Sequence, residues 1–137
     1  MFLLDTNIVS ELRRPRPDGA VVAWVEAVDE ETLFLSAVSL GEIQAGIERT
    51  RAQDPQKAAE IEAWAEVLIG AFAIVPMHAD EFRMWARLMH GRSTTLYLDA
   101  MIAATALVHG LTVVTRNTRD FAVFDVPALN PFLETSR

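Results

Sequence analysis

The sequence of 137 residues has no cysteine. Disulfide staples, thiolate nucleophiles and cysteine-bound zinc are therefore excluded, and a reducing, cytoplasmic setting is expected. It also has no run near the ~20 apolar residues of a membrane span, so no membrane association is expected. The start, Met1-Phe2-Leu3-Leu4-Asp5, lacks the basic and apolar regions of a signal peptide. Positive charge is scarce. Lysine and arginine together number 12 against 19 acidic residues, for a net charge of −7, and Lys57 is the sole lysine. Taken alone, that balance argues against a nucleic-acid binder. Aromatic residues make up 8% of the chain, and no stacking platform for bases is evident. The histidines, His78, His90 and His109, are scattered and match no zinc spacing; they read as helix-end residues. No glycine follows the first apolar run in Asp5-Thr6-Asn7-Ile8-Val9-Ser10, which excludes a dinucleotide-binding turn. A receiver-like phosphoacceptor domain fails as well. The mid-chain acid Asp54 precedes Pro55 at a helix start, and no lysine lies late in the chain.

What is present is ample apolar material. Hydrophobic residues are 51% and charged residues 23%, enough for one well-filled domain and too much for disorder. Short apolar runs at Phe2-Leu4, Leu33-Leu35, Phe72-Val75 and Thr112-Thr115 read as strands covered on both faces, with Pro127-Leu129 as an edge strand. Helical periods lie between them. One is capped by Asp18, one by Ser39, and one by Asp54 with Pro55 at its first position. A fourth presents Phe82, Trp85, Ala86 and Met89, and a fifth runs from Leu98 to His109-Gly110. The helices on either side of residues 50–54 form a hairpin inserted into the alternation. The whole predicts a three-layer α/β/α domain with a mostly parallel sheet.

Ligands of such sheets bind beyond the carboxyl ends of the strands, and four acids lie near those ends. Asp5 follows the first strand directly. Glu42 falls in the first turn of the helix after the second strand, Asp99 at the start of the helix leading to the fourth strand, and Asp120 shortly after that strand. Converging carboxylates repel one another and raise each other's pKa; a hard divalent cation, Mg²⁺ or Mn²⁺, resolves the conflict. Each acid also has a local explanation. Ser39 and Glu42 fit a capping box, Asp99 suits a helix N-terminus, and Asp120 fits an ordinary turn. Asp5 resists such an explanation best. Gly41 and Gly46 weaken one helix by ~1 kcal/mol each relative to alanine, a pattern read as close backbone packing ahead of room for a ligand.

Four segments in order resemble one family: Leu3-Leu4-Asp5-Thr6-Asn7, Ser36 to Gly46, Leu98 to Ala104, and Val114 to Phe121. They resemble PIN-domain ribonucleases, and more narrowly the VapC toxins of bacterial toxin–antitoxin operons, with their FitB-like and plasmid-stability branches. The resemblance runs from residue 1 to about residue 132, with residues 1–137 expected to form a single PIN domain. It implies a five-stranded parallel sheet, Mg²⁺ with Mn²⁺ as substitute, and endonucleolytic hydrolysis of RNA phosphodiesters that leaves a 5′-phosphate and a 3′-hydroxyl. The family's acids map onto Asp5, Glu42, Asp99 and, at the fourth position, Asp120, with the amide Asn117 at the other position members use. Thr6 and Thr115 match its small polar site residues, and Asn117 is placed as an orienting group. RNA then needs local cations. Arg116 and Arg119 sit beside the fourth acid, and further clusters lie at Arg13, Arg14 and Arg16 and at Arg49 and Arg51. The resemblance also implies a VapB-like antitoxin and a homodimer or toxin–antitoxin hetero-oligomer. Trp24, Trp64 and Trp85 read as core residues first and as lining for an antitoxin groove second. The alternative is a PIN-like protein with little catalysis, acting through antitoxin and operator binding.

Overall fold

Five strands alternate with seven helices in the computed structural model, which describes residues 1–132. The strands are β1 Phe2–Leu4, β2 Leu33–Ser36, β3 Ala73–Val75, β4 Thr112–Val114 and β5 Ala128–Leu129. The helices are α1 Thr6–Arg13, α2 Gly19–Ala27, α3 Ala37–Arg51, α4 Pro55–Ala71, α5 Ala79–Met89, α6 Tyr97–His109 and α7 Thr118–Ala122. Every strand pair is parallel and the order is β3-β2-β1-β4-β5. The chain thus builds outward from β1 in one direction, then returns to add β4 and β5 on its other side. The carboxyl ends of β1 and β4 flank that reversal, which is where an open α/β sheet forms its ligand crevice.

The alternation of side chains along the central strands divides the core in two. Leu4, Leu35 and Val114 face one layer, with Ile8 and Val9 of α1, Val21 of α2, Ile43 and Ile47 of α3, and Leu68 of α4. Leu3 and Val113 face the other, with Ala100, Ile102, Ala103 and Ala106 of α6 and Phe121 of α7. The small residues of α6 let it lie close on the sheet, and Gly110, at φ 67°, ends it in a left-handed turn. Among the described residues no helix is long and apolar enough to cross a membrane.

Several expectations shift. The side chain of Asp18 caps α2, and that of Asp54 caps α4 ahead of Pro55, as read. Ser39 is not a cap: Ser36 caps α3 by accepting from Val38 N–H at 3.0 Å, so the helix starts at Ala37. Glu42 therefore lies in the second turn, and Ser39 is buried inside the helix. On α5 the buried anchor is Glu81, which accepts from His78 N–H at 2.7 Å and lies 3.1 Å from His109 Nε2, while Phe82 is exposed. Close packing does not explain the α3 glycines. A Cβ at Gly41 would meet nothing within 4 Å, and one at Gly46 only the Nη2 of Arg49 at 3.6 Å.

Candidate metal centre

Asp5 ends β1 and caps α1, so one carboxylate is fixed by a strand behind it and a helix ahead of it. Its N–H donates to Val114 O at 2.9 Å, tying the β1 exit to β4. Its Oδ1 accepts from Thr6 N–H at 2.8 Å. Its Oδ2 accepts from Thr115 Oγ1 at 2.8 Å and from Asn7 Nδ2 at 3.2 Å. Thr115 is fully buried, and its hydroxyl also accepts from Asn117 N–H at 3.0 Å. Asn7 closes the ring: its Nδ2 reaches Thr115 Oγ1 at 3.3 Å, and its Oδ1 accepts from Arg116 N–H at 3.3 Å.

A second arm joins α1 to α3. Thr6 Oγ1 donates to Glu42 Oε1 at 2.9 Å and shares its hydroxyl with Ser39 Oγ, also at 2.9 Å. Ser39 and Glu42 thus serve Thr6 across the molecule instead of forming a capping box.

The acids sense one another. Burial pushes the Asp5 carboxyl above its ordinary value. Its bonds from Thr115 and Thr6 pull it back, and the charge of Asp120 pushes it further up. Burial likewise raises Glu42, opposed by its bond from Thr6 and reinforced by Asp5 and Asp99. Asp99, in the first turn of α6, is raised by burial and then by Asp5 and Asp120. Asp5 thus feels Asp120, Glu42 feels Asp5 and Asp99, and Asp99 feels Asp5 and Asp120, so charge links the four acids named from the sequence. Asp120, on α7, acts on Asp5 and Asp99 through its charge, and Asn117 donates its backbone N–H to Thr115. The ion pairs among the described residues engage Arg14, Arg51 and His109, never with one of these acids. Coulombic reach is longer than a metal–ligand bond, and among the described residues no three acidic or histidine side chains close to metal-binding distance.

That donor set fits a hard divalent ion. It is all oxygen, partly desolvated and, among the described residues, without a cationic partner. Mg²⁺ keeps several waters and needs only one or two direct carboxylates, so a closed protein cage is not required.

The arginines divide by partner. Arg51 is held by Glu48 and Glu62, and Arg14 by Glu11. Arg116 lies 3.8 Å over the ring centroid of Phe132, beside the site, and Arg119 is exposed on α7. Local sequence reading did not single out Asn7 and Ser39 as site residues. Their position was the only signal: Asn7 follows Asp5-Thr6, and Ser39 sits three residues before Glu42.

A doubly wound parallel sheet with acids at its reversal point defines the class. The chain belongs to the PIN-domain family, whose sequence profile matches residues 2–127. Within that class it is similar to VapC ribonuclease Y4jK of Sinorhizobium fredii. The two are 36% identical over 137 residues, covering 96% of this chain and 98% of the relative. Its fold superimposes on a chain of FitAcB from Neisseria gonorrhoeae with a TM-score of 0.84 and 34% identity, covering 96% and 99% of the two chains. A toxin–antitoxin complex from Klebsiella pneumoniae matches with a TM-score of 0.71 and 27% identity over 96% and 98%.

Proposed function

We infer that this chain is a metal-dependent endoribonuclease, the toxin of a toxin–antitoxin pair, in which residues 1–137 act as one PIN domain. The observation that carries the reading is the buried carboxylate of Asp5. It is locked by Thr115, Thr6 and Asn7 and lies in the same electrostatic field as Glu42, Asp99 and Asp120. The ribonuclease name of the S. fredii relative and the toxin–antitoxin title of the K. pneumoniae complex support it.

Asp5 and Asp99 would hold Mg²⁺ or Mn²⁺, with Glu42 and Asp120 completing the site directly or through water. When bound, such an ion supplies Lewis-acid stabilisation of phosphoryl charge and a more acidic water. The remaining work falls to the chain. Thr115, Asn7 and Thr6 orient Asp5, leaving one acceptor position, on Oδ1, for a ligand. Thr6 fixes Glu42 through Oε1, so Oε2 is free to take the proton of the attacking water, and the raised pKa brings that carboxylate nearer to neutral working pH. Asn117 is held by its N–H and leads the chain into α7, where Asp120 adds negative charge felt by Asp5 and Asp99 and Arg119 offers a phosphate contact. Arg116 offers a second, its planar guanidinium preorganised on Phe132. A VapB-like antitoxin partner follows from the same likeness, with the toxin alone a homodimer or joined in a hetero-oligomer.

The test is cleavage of RNA by purified protein with Mg²⁺ and with EDTA, beside Asp5→Asn and Asp99→Asn. The expected products carry 5′-phosphate and 3′-hydroxyl ends. Undiminished cleavage in EDTA, or in both variants, overturns the reading.

A further inference from the structure

A cavity of about 240 Å³ opens beside Glu42, between α1, α3 and α4. Its wall runs from Thr6 and Glu42 past Gly46 to Trp64, with Ser10 and Arg13 on the α1 side. Gly46 is the telling residue. It sits inside a 15-residue helix, where glycine weakens the helix relative to alanine. Among the described residues no close packing requires it, because an added Cβ would meet only the tip of Arg49 at 3.6 Å. A residue that weakens its helix and packs against nothing keeps space open, and the space it borders is this cavity.

The chemistry of the wall changes from end to end. Glu42 brings the candidate metal centre to one end. At the other, the guanidinium of Arg13 stands 5.8 Å over the Trp64 ring. Among the described residues the ion pairs of this region occupy Arg14 and Arg51 but leave Arg13 with its aromatic partner alone. Between the ends are apolar wall, the indole of Trp64 and the exposed hydroxyl-bearing Ser10. The volume equals about eight waters at roughly 30 Å³ each, the scale of one planar heteroaromatic ring. A cavity walled by Ile43, Ile47, Ile61 and Trp64, with a cation at one end and the candidate phosphodiester-cleaving site at the other, has the charge order of a nucleotide: base in the cavity, phosphate at the arginine. Stacking on an indole suits any base, and a hydroxyl at the edge is able to discriminate among them.

We propose that this cavity is a base-binding subsite that receives one unpaired nucleobase of the RNA beside the cleaved phosphodiester, and that Gly46 keeps it open. The inference rests on the ribonuclease reading above for the identity of the strand, and the two are tested separately.

In the first experiment the full chain is titrated with each of the four nucleoside 5′-monophosphates, which contain no bond to cleave, while the Trp64 indole N–H resonance is followed by NMR. Wild type should shift that resonance, with one base bound at least several-fold more tightly. Gly46→Leu, which fills the cavity, should weaken binding at least tenfold, and Arg13→Ala should weaken all four ligands alike. Gly46→Ala is the milder variant should the leucine prevent folding. It should raise the unfolding temperature by about 3–6 °C through helix propensity while still weakening the monophosphates. In the second experiment, cleavage ends on a random-sequence RNA are mapped. Wild type should show a base preference at one position next to the cut, flattened in the Gly46 variants. A wild type that binds monophosphates at Trp64 but cuts no RNA keeps the subsite and overturns the nuclease reading. Cleavage with identical base preference and monophosphate binding in wild type and both Gly46 variants overturns the subsite. So does a Gly46 variant that loses only its affinity for an antitoxin, which would assign the cavity to a protein partner.

Discussion

The hydroxyl of Thr115 donates a 2.8 Å hydrogen bond to the carboxylate of Asp5 across 110 residues of sequence. Both groups are buried, and the same hydroxyl accepts from Asn117 N–H. Thr115 therefore stabilises the charged form of Asp5 and fixes the turn that leads to Asp120. Thr115→Val keeps the shape and removes both services. It should lower stability by about 1–3 kcal/mol, because buried polar groups lose their partner. Cleavage should fall about 10–100-fold through misplacement of Asp5. With one lowering influence gone, the Asp5 pKa should rise further, so the acid limb of the pH–rate profile should move to higher pH. Thr115→Ser should restore the profile. A valine variant with an unchanged acid limb would refute the orienting role.

Asp99 opposes folding when it is charged. Burial, then Asp5 and Asp120, hold its folded pKa above the ordinary value. For a carboxyl shifted upward, the penalty is fully present above the folded pKa and disappears as pH falls below the unfolded one. Asp99→Asn should therefore raise the unfolding temperature at pH 7 without divalent ions, and the gain should vanish in strong acid. The same variant should lose RNA cleavage by about two orders of magnitude or more. Thermal melts across pH, paired with cleavage rates, check both halves; a destabilised variant at neutral pH contradicts the electrostatic account.

Divalent ions should reverse that penalty. Mg²⁺ or Mn²⁺ at 100 times its dissociation constant should stabilise the fold by about 2.7 kcal/mol. The effect should be larger at pH 7 than at pH 5, because protons compete for the carboxylates. Melts of wild type and of an Asp5→Asn, Asp99→Asn double variant measure it. Equal stabilisation of both proteins would place the ion elsewhere.

Arg116 should contribute one phosphate contact. Arg116→Ala should weaken single-stranded RNA binding and reduce the slope of log affinity against log salt by about 0.7. Arg116→Lys should restore the charge but not the planar stack on Phe132, so its recovery should be partial. An unchanged salt slope in the alanine variant rules the contact out.

Much of the fold was written in local pattern. The apolar runs at Phe2-Leu4, Leu33-Leu35 and Thr112-Val114 are largely buried strands packed on both faces, and their composition shows it. Asp18 and Asp54 announced their helices because a cap bonds to N–H groups two or three residues away. The same logic failed at Ser39, where a serine three residues before a glutamate satisfies the capping pattern. Ser36 takes the cap one turn earlier, and the partner of both Ser39 and Glu42 is Thr6, 33 and 36 residues distant. No local rule reaches that far. The α3 glycines misled for a related reason: whether a missing side chain makes room for backbone or for a ligand depends on what stands opposite, and that is set by α1 and α4.

The sequence by itself determined the class of the fold, the chain positions of Asp5, Glu42, Asp99 and Asp120, and the exclusion of thiol chemistry and cysteine-bound zinc, because residue type and short-range periodicity act over a few bonds. Only the tertiary structure decided that the ends of β1 and β4 lie side by side, that Thr115, Asn7 and Thr6 hold Asp5 and Glu42, and that Gly46 borders a cavity. Parallel neighbours in a sheet are far apart along the chain, and the free energy that pairs them comes from burial on both faces of the whole sheet.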